Sequence, residues 1–185
     1  MNSTLEGREW FEDPVTFLVA VSIPLMAAAA IAPWFAGKPY VRSTWRLATA
    51  TALGSAAVAL LVNQLLSHLW DRPRPFVSHP GSLTLFTSHA RDASFPSDHA
   101  SASFAIAVSV MLLHRRTGAA LLVLASLISV ARVFEGVHYP TDVLAGAAIG
   151  TVSAVVVSWL ARPLLEAIVG LVQKATDPVV ALVRR

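Results

Sequence analysis

The sequence predicts an all-α integral membrane protein, a bundle of about five transmembrane helices followed by a C-terminal amphipathic helix at the interface. Three observations carry that expectation. The chain of 185 residues is 55% hydrophobic and 14% charged, with a mean hydropathy of +0.62, too apolar for a soluble domain of this size. It contains charge-free runs that reach the ~20 residues a hydrocarbon core requires. All five tryptophans, Trp10, Trp34, Trp45, Trp70 and Trp159, fall at or near the ends of the apolar segments, where indole favours the headgroup zone.

In chain order, Val15 to Ala36 and Leu47 to Leu69 are long enough to span unaided. Ala100 to Leu113 becomes adequate once Asp98 and His99 join it. Thr117 to Ala131 does so once Arg132 and Val133 join. Those polar residues then sit at a membrane face. Val143 to Ala161 is the fifth span. Pro163 to Arg185 mixes Leu164, Leu165, Ile168, Val169 and Val172 with Glu166, Gln173, Lys174 and Asp177, the pattern of an interfacial helix, with Pro178 breaking it. No internal repeat, low-complexity tract or linker interrupts the chain, so residues 1–185 form a single domain.

Charge sets the orientation. Lys38, Arg42 and Arg46, then Arg115 and Arg116, then Arg162, Lys174, Arg184 and Arg185 hold nine of the fourteen basic residues, and their sides are expected to be cytoplasmic. The acidic N-terminus, the loop Asp71 to Pro96 and the loop Phe134 to Thr141 then face outward in a multi-pass plasma-membrane protein. The net charge of +3 reflects this bias and leaves no basic patch for nucleic acid. The N-terminus lacks the basic start of a signal peptide, and its apolar run is long enough to be retained. With no cysteine, disulfides, thiolate chemistry and sulfur metal sites are excluded.

The outward segments carry Arg72-Pro73-Arg74-Pro75-Phe76, then Phe95-Pro96-Ser97-Asp98-His99, then Ala131-Arg132, five residues, His138, three residues and Asp142. Neutral imidazole attacks phosphorus well when a neighbour fixes its tautomer and steadies the cation that forms. His138 and Asp142, four apart around Pro140, suit those roles, with Asp142 accepting the Nδ1 hydrogen and Nε2 left for the substrate. Phosphoryl transfer spreads charge over three oxygens, and Arg74 and Arg132 can each grip two of them. Ser97 and the amides from Ser97 to His99, at a helix start, add an anion site. His99 is placed to protonate the departing oxygen and then to activate water. The scheme uses no metal and no cofactor: the eleven carboxylates are dispersed and no histidine pair has ligand spacing with a third ligand nearby.

With these residues the chain resembles the membrane type 2 phosphatidic acid phosphatase superfamily, which includes the vanadium haloperoxidases. Its signature is Lys-x6-Arg-Pro, then Pro-Ser-Gly-His, then Ser-Arg-x5-His-x3-Asp, matched here over roughly residues 67 to 142. The phrases around Arg72 to Phe76, Ser94 to His99 and Gly136 to Pro140 resemble the bacitracin-resistance type of undecaprenyl-diphosphatase. That resemblance implies an external diphosphate lipid substrate, and with His138 as nucleophile the expected reaction is hydrolysis of a polyprenyl diphosphate through a phosphohistidine. Three positions depart from the signature: Ser67 stands where the lysine is expected, Asp98 replaces the glycine and Ala131 replaces the serine. Arg72 or His68 is the candidate to replace the lysine in space, and the resemblance associates the aspartate variant with the diphosphatases.

Other readings compete at single residues. A charge at a span end, taken alone, is an interfacial anchor; the matched set in register on one face outweighs that. His68, His79, His89 and His114 read as loop or interface residues, and Glu135 as a solvated loop carboxylate. Gly146 and Gly150 read as a close-packing surface. At the level of function, the same residues would serve a phosphatase for phosphatidic acid or phosphatidylglycerol phosphate. A protein that only binds an anionic lipid has no need of His99, His138 and Asp142, and no broken repeat pair supports a transporter.

Overall fold

A 16-residue helix, α4 (Asp98–Leu113), occupies the centre of the protein, with α1, α2, α5 and α6 packed around it in a computed structural model that describes residues 9–35, 39–79 and 92–183. The surrounding helices are α1 (Glu9–Ile31, continued by a 3-10 turn Ala32–Phe35), α2 (Pro39–Leu69), α5 (Arg115–Phe134) and α6 (Pro140–Leu160). A one-turn helix α3 (Pro75–Ser78) lies between α2 and α4, and α7 (Arg162–Val183) closes the chain against α2 and α6. The described residues contain no strand.

α1, α2, α5 and α6 each contain a segment long and apolar enough to cross a membrane. α4 is shorter, about 24 Å at 1.5 Å per residue. Its interior place explains its composition: Ser101, Ser103 and Ser109 are buried among helices rather than in lipid. Ser101 exchanges hydrogen bonds with Asn63 on α2, and Ser109 donates to Ser55. Met26, Ala30, Ala52, Ile106, Val110, Leu121 and Ile128 form part of the apolar core between α1, α2, α4 and α5. Outward-facing Leu61, Leu65, Val123, Leu144 and Val155 leave an apolar surface suited to acyl chains.

Gly146 and Gly150 do allow close packing, as expected. A methyl group at 150 would lie 2.3 Å from the Ser101 carbonyl oxygen, and one at 146 only 2.6 Å from that of Ser97. This contact draws the start of α6 against the start of α4 and so brings two motifs together.

Boundaries differ from expectation in α1, which begins at Glu9, six residues before Val15, and in α2 and α7. α2 begins eight residues before Leu47, so Arg42 and Arg46 lie on the helix; Arg46 is buried and its guanidinium stands 5.5 Å from the Trp34 ring centroid. α7 continues through Pro178 to Val183 rather than breaking there. An internal proline removes one backbone hydrogen bond and can kink a helix without ending it. Leu164, Ile168 and Leu171 expose an apolar stripe along α7 while Val169 is buried. His89 lies outside the described residues.

Candidate active site

The end of α2, the start of α4, the end of α5 and the start of α6 converge at one end of the bundle. There they surround a cavity of about 310 Å³ lined by Gln64, Ser67, Arg74, Asp92, Ala93, Pro96, Asp98, His99, Arg132 and His138. Of the seven residues picked out by sequence, Arg74, His99, Arg132 and His138 face it together. Asp142 is fully buried beneath them.

The α5–α6 connection explains how Arg132, His138 and Asp142 meet. Glu135 ends α5 with its amide on the Ala131 carbonyl, and Gly136 then turns the chain at a φ of 69°, a conformation glycine adopts without penalty. His138 follows on the returning segment, and α6 opens on Pro140, where the missing N–H leaves no helical bond unmade. Asp142 accepts the Tyr139 amide at 2.8 Å and so anchors the first turn of that helix.

His138 Nδ1 lies 2.8 Å from the main-chain carbonyl of Ser94 and 3.8 Å from Asp142. The nearer Nδ1 partner is therefore the Ser94 carbonyl, with the expected partner Asp142 buried beside it within ion-pair distance. A carbonyl only accepts, so Nδ1 carries the hydrogen and Nε2 the lone pair. Arg74 approaches that lone pair, with Nη1 at 3.5 Å from Nε2. Asp142 is held instead by Ser94 Oγ at 2.5 Å, by Arg72 at 2.7 Å and by the Tyr139 amide. Burial pushes the His138 imidazole below its ordinary value of 6.5; Asp142 opposes this, and the Arg74 and Arg132 cations reinforce it. The neutral form of the ring is thereby favoured.

Each arginine on the cavity wall has a carboxylate partner. Arg74 donates from Nε to Asp92 at 3.0 Å and from Nη1 to the Val137 carbonyl at 3.3 Å. Arg132 donates from Nη1 to Glu135 at 2.8 Å. The two partners differ in burial, since Asp92 is 63% exposed and Glu135 only 2%. An incoming phosphate can displace Asp92 into water, whereas Glu135 stays and orients the Arg132 fork. The solvated-loop reading of Glu135 is thus corrected: its position three residues after Arg132 makes it the buried counter-ion, and burial raises its carboxyl against the pull of that cation.

Arg72 does not line the cavity. It donates to Thr141 and Asp142, each at 2.7 Å, and its guanidinium lies 3.9 Å from the Tyr139 ring centroid. Nor does His68 stand in for the lysine, since its Nδ1 meets the Gln64 carbonyl at 2.6 Å and it is exposed. Ser67 itself lines the cavity with its hydroxyl on the Gln64 carbonyl; among the described residues the cationic walls are Arg74 and Arg132. The Ser97 amide is not free, as it donates to the Asp142 carbonyl at 3.1 Å. Its hydroxyl is buried without a hydrogen-bond partner. Asp98, in the place of the signature glycine, is held by Asn63 at 2.8 Å beside His99. His114, at the opposite end, stacks on Trp45 with ring centroids 3.6 Å apart.

Asn63 and Asp92 were missed in the sequence, and Ser94 was read only as the first residue of the Ser94 to His99 phrase, without a role. Ser94 acts partly through its backbone, and Asn63 and Asp92 lie outside the motifs.

Comparison with known proteins identifies the family. Residues 45–165 match the PAP2 superfamily. The bacitracin transport permease protein BcrC of Bacillus licheniformis is 34% identical over 161 residues, 85% of this chain and 76% of that protein. The undecaprenyl-diphosphatase BcrC of Bacillus subtilis (strain 168) is 32% identical over 130 residues, 70% of this chain and 64% of that protein. The crystal structure of Aquifex aeolicus LpxE superposes with a TM-score of 0.61 at 23% identity, covering 84% of this chain and 87% of that one, and shows the same fold. The chain belongs to the PAP2 superfamily and is a multi-pass membrane lipid phosphatase.

Proposed function

We propose that this phosphatase removes the terminal phosphate of a polyprenyl diphosphate at the outer membrane face, through a phosphohistidine on His138. The observation that carries the reading is the His138 lone pair facing one cavity with Arg74, Arg132 and His99. Nε2 attacks the terminal phosphorus, the nitrogen–phosphorus bond forms, and the anhydride bond breaks to release the lipid monophosphate. The arginines neutralise the equatorial oxygens and His99 supplies a proton to the departing oxygen. Water then attacks the phosphohistidine and gives its proton to His99. Inorganic phosphate leaves and His138 returns to its neutral form.

The diphosphate is favoured by the similarity to the undecaprenyl-diphosphatase of B. subtilis and by Asp98 at the variable motif position. Purified protein offered undecaprenyl diphosphate, phosphatidic acid and phosphatidylglycerol phosphate side by side is expected to favour the first by roughly tenfold or more in kcat/KM. Faster cleavage of the monophosphate esters would assign the enzyme to those lipids instead. Binding of all three without phosphate release would reduce it to an anionic-lipid binder. Orthovanadate is expected to inhibit and EDTA to have no effect.

The outer-face reading rests on helix ends. Arg42, Arg46, Arg115, Arg116 and Arg162 lie at the ends of α2, α5, α6 and α7 that point away from the cavity. Because the chain has no cysteine, single replacements report sidedness directly. On intact cells a membrane-impermeant maleimide is expected to label Ser78→Cys and to leave Arg115→Cys unlabelled. The reverse pattern would put the site on the cytoplasmic side.

A further inference from the structure

We propose that Ser94 is a positioning residue of the transfer, holding the His138 imidazole through its carbonyl and tying that carbonyl to Asp142 through its hydroxyl. This rests on His138 being the nucleophile. The geometry assigns Ser94 two tasks. Its carbonyl holds the Nδ1 hydrogen at 2.8 Å, which fixes the tautomer and aims Nε2 at the cavity. Its hydroxyl donates to Asp142 Oδ2 at 2.5 Å, which fixes the carbonyl relative to the start of α6.

Asp142 stands 3.8 Å from Nδ1, with the Ser94 carbonyl the nearer partner at 2.8 Å. The Asp142 charge steadies the imidazolium formed on attack, while the Ser94 carbonyl sets the direction of the ring. Ser94 is itself fully buried, and its amide donates to the Arg72 carbonyl at 2.7 Å. The same Arg72 donates its guanidinium to Asp142 at 2.7 Å. Ser94, Asp142 and Arg72 thus close a ring of hydrogen bonds beneath His138. This ring gives Arg72 a task that phosphate binding does not.

The test is phosphate release from undecaprenyl diphosphate by Ser94→Ala, Ser94→Thr, Asp142→Asn and the Ser94→Ala/Asp142→Asn double variant, with His138→Ala as the control. Ser94→Ala keeps the carbonyl and loses the tie. Its kcat is expected to fall about 10- to 100-fold, the value of a hydrogen bond to a charged group, with KM changed less than about twofold because the arginines are untouched. Ser94→Thr retains the hydroxyl and is expected to keep kcat within about threefold. The double variant is expected to be no slower than Asp142→Asn alone, since both changes cut one connection.

A wild-type kcat in Ser94→Ala overturns the assignment. So does a threonine variant as slow as the alanine one, or losses that multiply in the double variant. If His138→Ala itself retains turnover, the nucleophile reading fails and the Ser94 proposal falls with it. An inactive His138→Ala beside a fully active Ser94→Ala refutes the Ser94 proposal alone.

Discussion

Replacing His138 with alanine is expected to lower phosphate release about 10⁴-fold or more, the scale seen when a covalent nucleophile is removed, while the protein still folds. The methyl group cannot form the nitrogen–phosphorus bond, and His99 alone supplies proton transfer without a phosphorus acceptor. Folding survives because the change removes one buried ring at the cavity wall and leaves the Ser94 carbonyl short of a donor, a penalty of about 1–3 kcal/mol. The wild-type pH profile supplies an independent check. Attack requires the neutral ring, so activity disappears as pH falls through the imidazole's own value. Burial and the two arginines hold that value below 6.5. The acid limb of kcat/KM is therefore expected below pH 6.5, and a limb above it would mean that Asp142 outweighs burial. Normal turnover in His138→Ala would remove the mechanism altogether.

The third motif was the most legible part of the site, because it spans a single connection. Arg132 ends one helix, Gly136 turns the chain, and His138 and Asp142 begin the next; tertiary structure adds little to their meeting. The detail of the His138–Asp142 pair was not legible. A spacing of four suggests one helical turn, but α6 starts at Pro140, so His138 lies before the helix and its ring follows the loop instead. Arg72 illustrates a second limit. Arg74 adopts φ −66° and ψ 153° between two prolines, an extended polyproline-like course with three residues per turn. Residues two apart then point in different directions, and Arg72 goes to Asp142 while Arg74 goes to the cavity. Ser94 shows a third: the carbonyl that fixes the tautomer belongs to the backbone and has no signature in residue type. Glu135 was within reach, because an arginine and a glutamate three apart at a helix end form a familiar pair.

That pair carries the second large effect. Arg132→Met is expected to lower kcat/KM about 10²- to 10³-fold, since one cation aimed at the transferring phosphate is lost. It is also expected to destabilise the protein by about 3–5 kcal/mol, because Glu135 is left buried without its partner. Glu135 then takes up a proton more readily, as burial raises its carboxyl and Arg132 no longer opposes this. A carboxyl raised in the folded state binds protons that the unfolded chain does not. The Arg132→Met protein should therefore gain stability as pH falls from neutral toward the unfolded value and lose it as pH rises. Adding Glu135→Leu removes the stranded charge. The double variant is expected to recover most of the lost thermal stability, and none of the lost activity. Melting temperature and phosphate release measured on both proteins separate the two roles of Arg132. Recovery of activity with stability would show that Arg132 serves only the fold. If the double variant melts as early as the single one, the buried pair is not what the substitution disturbs.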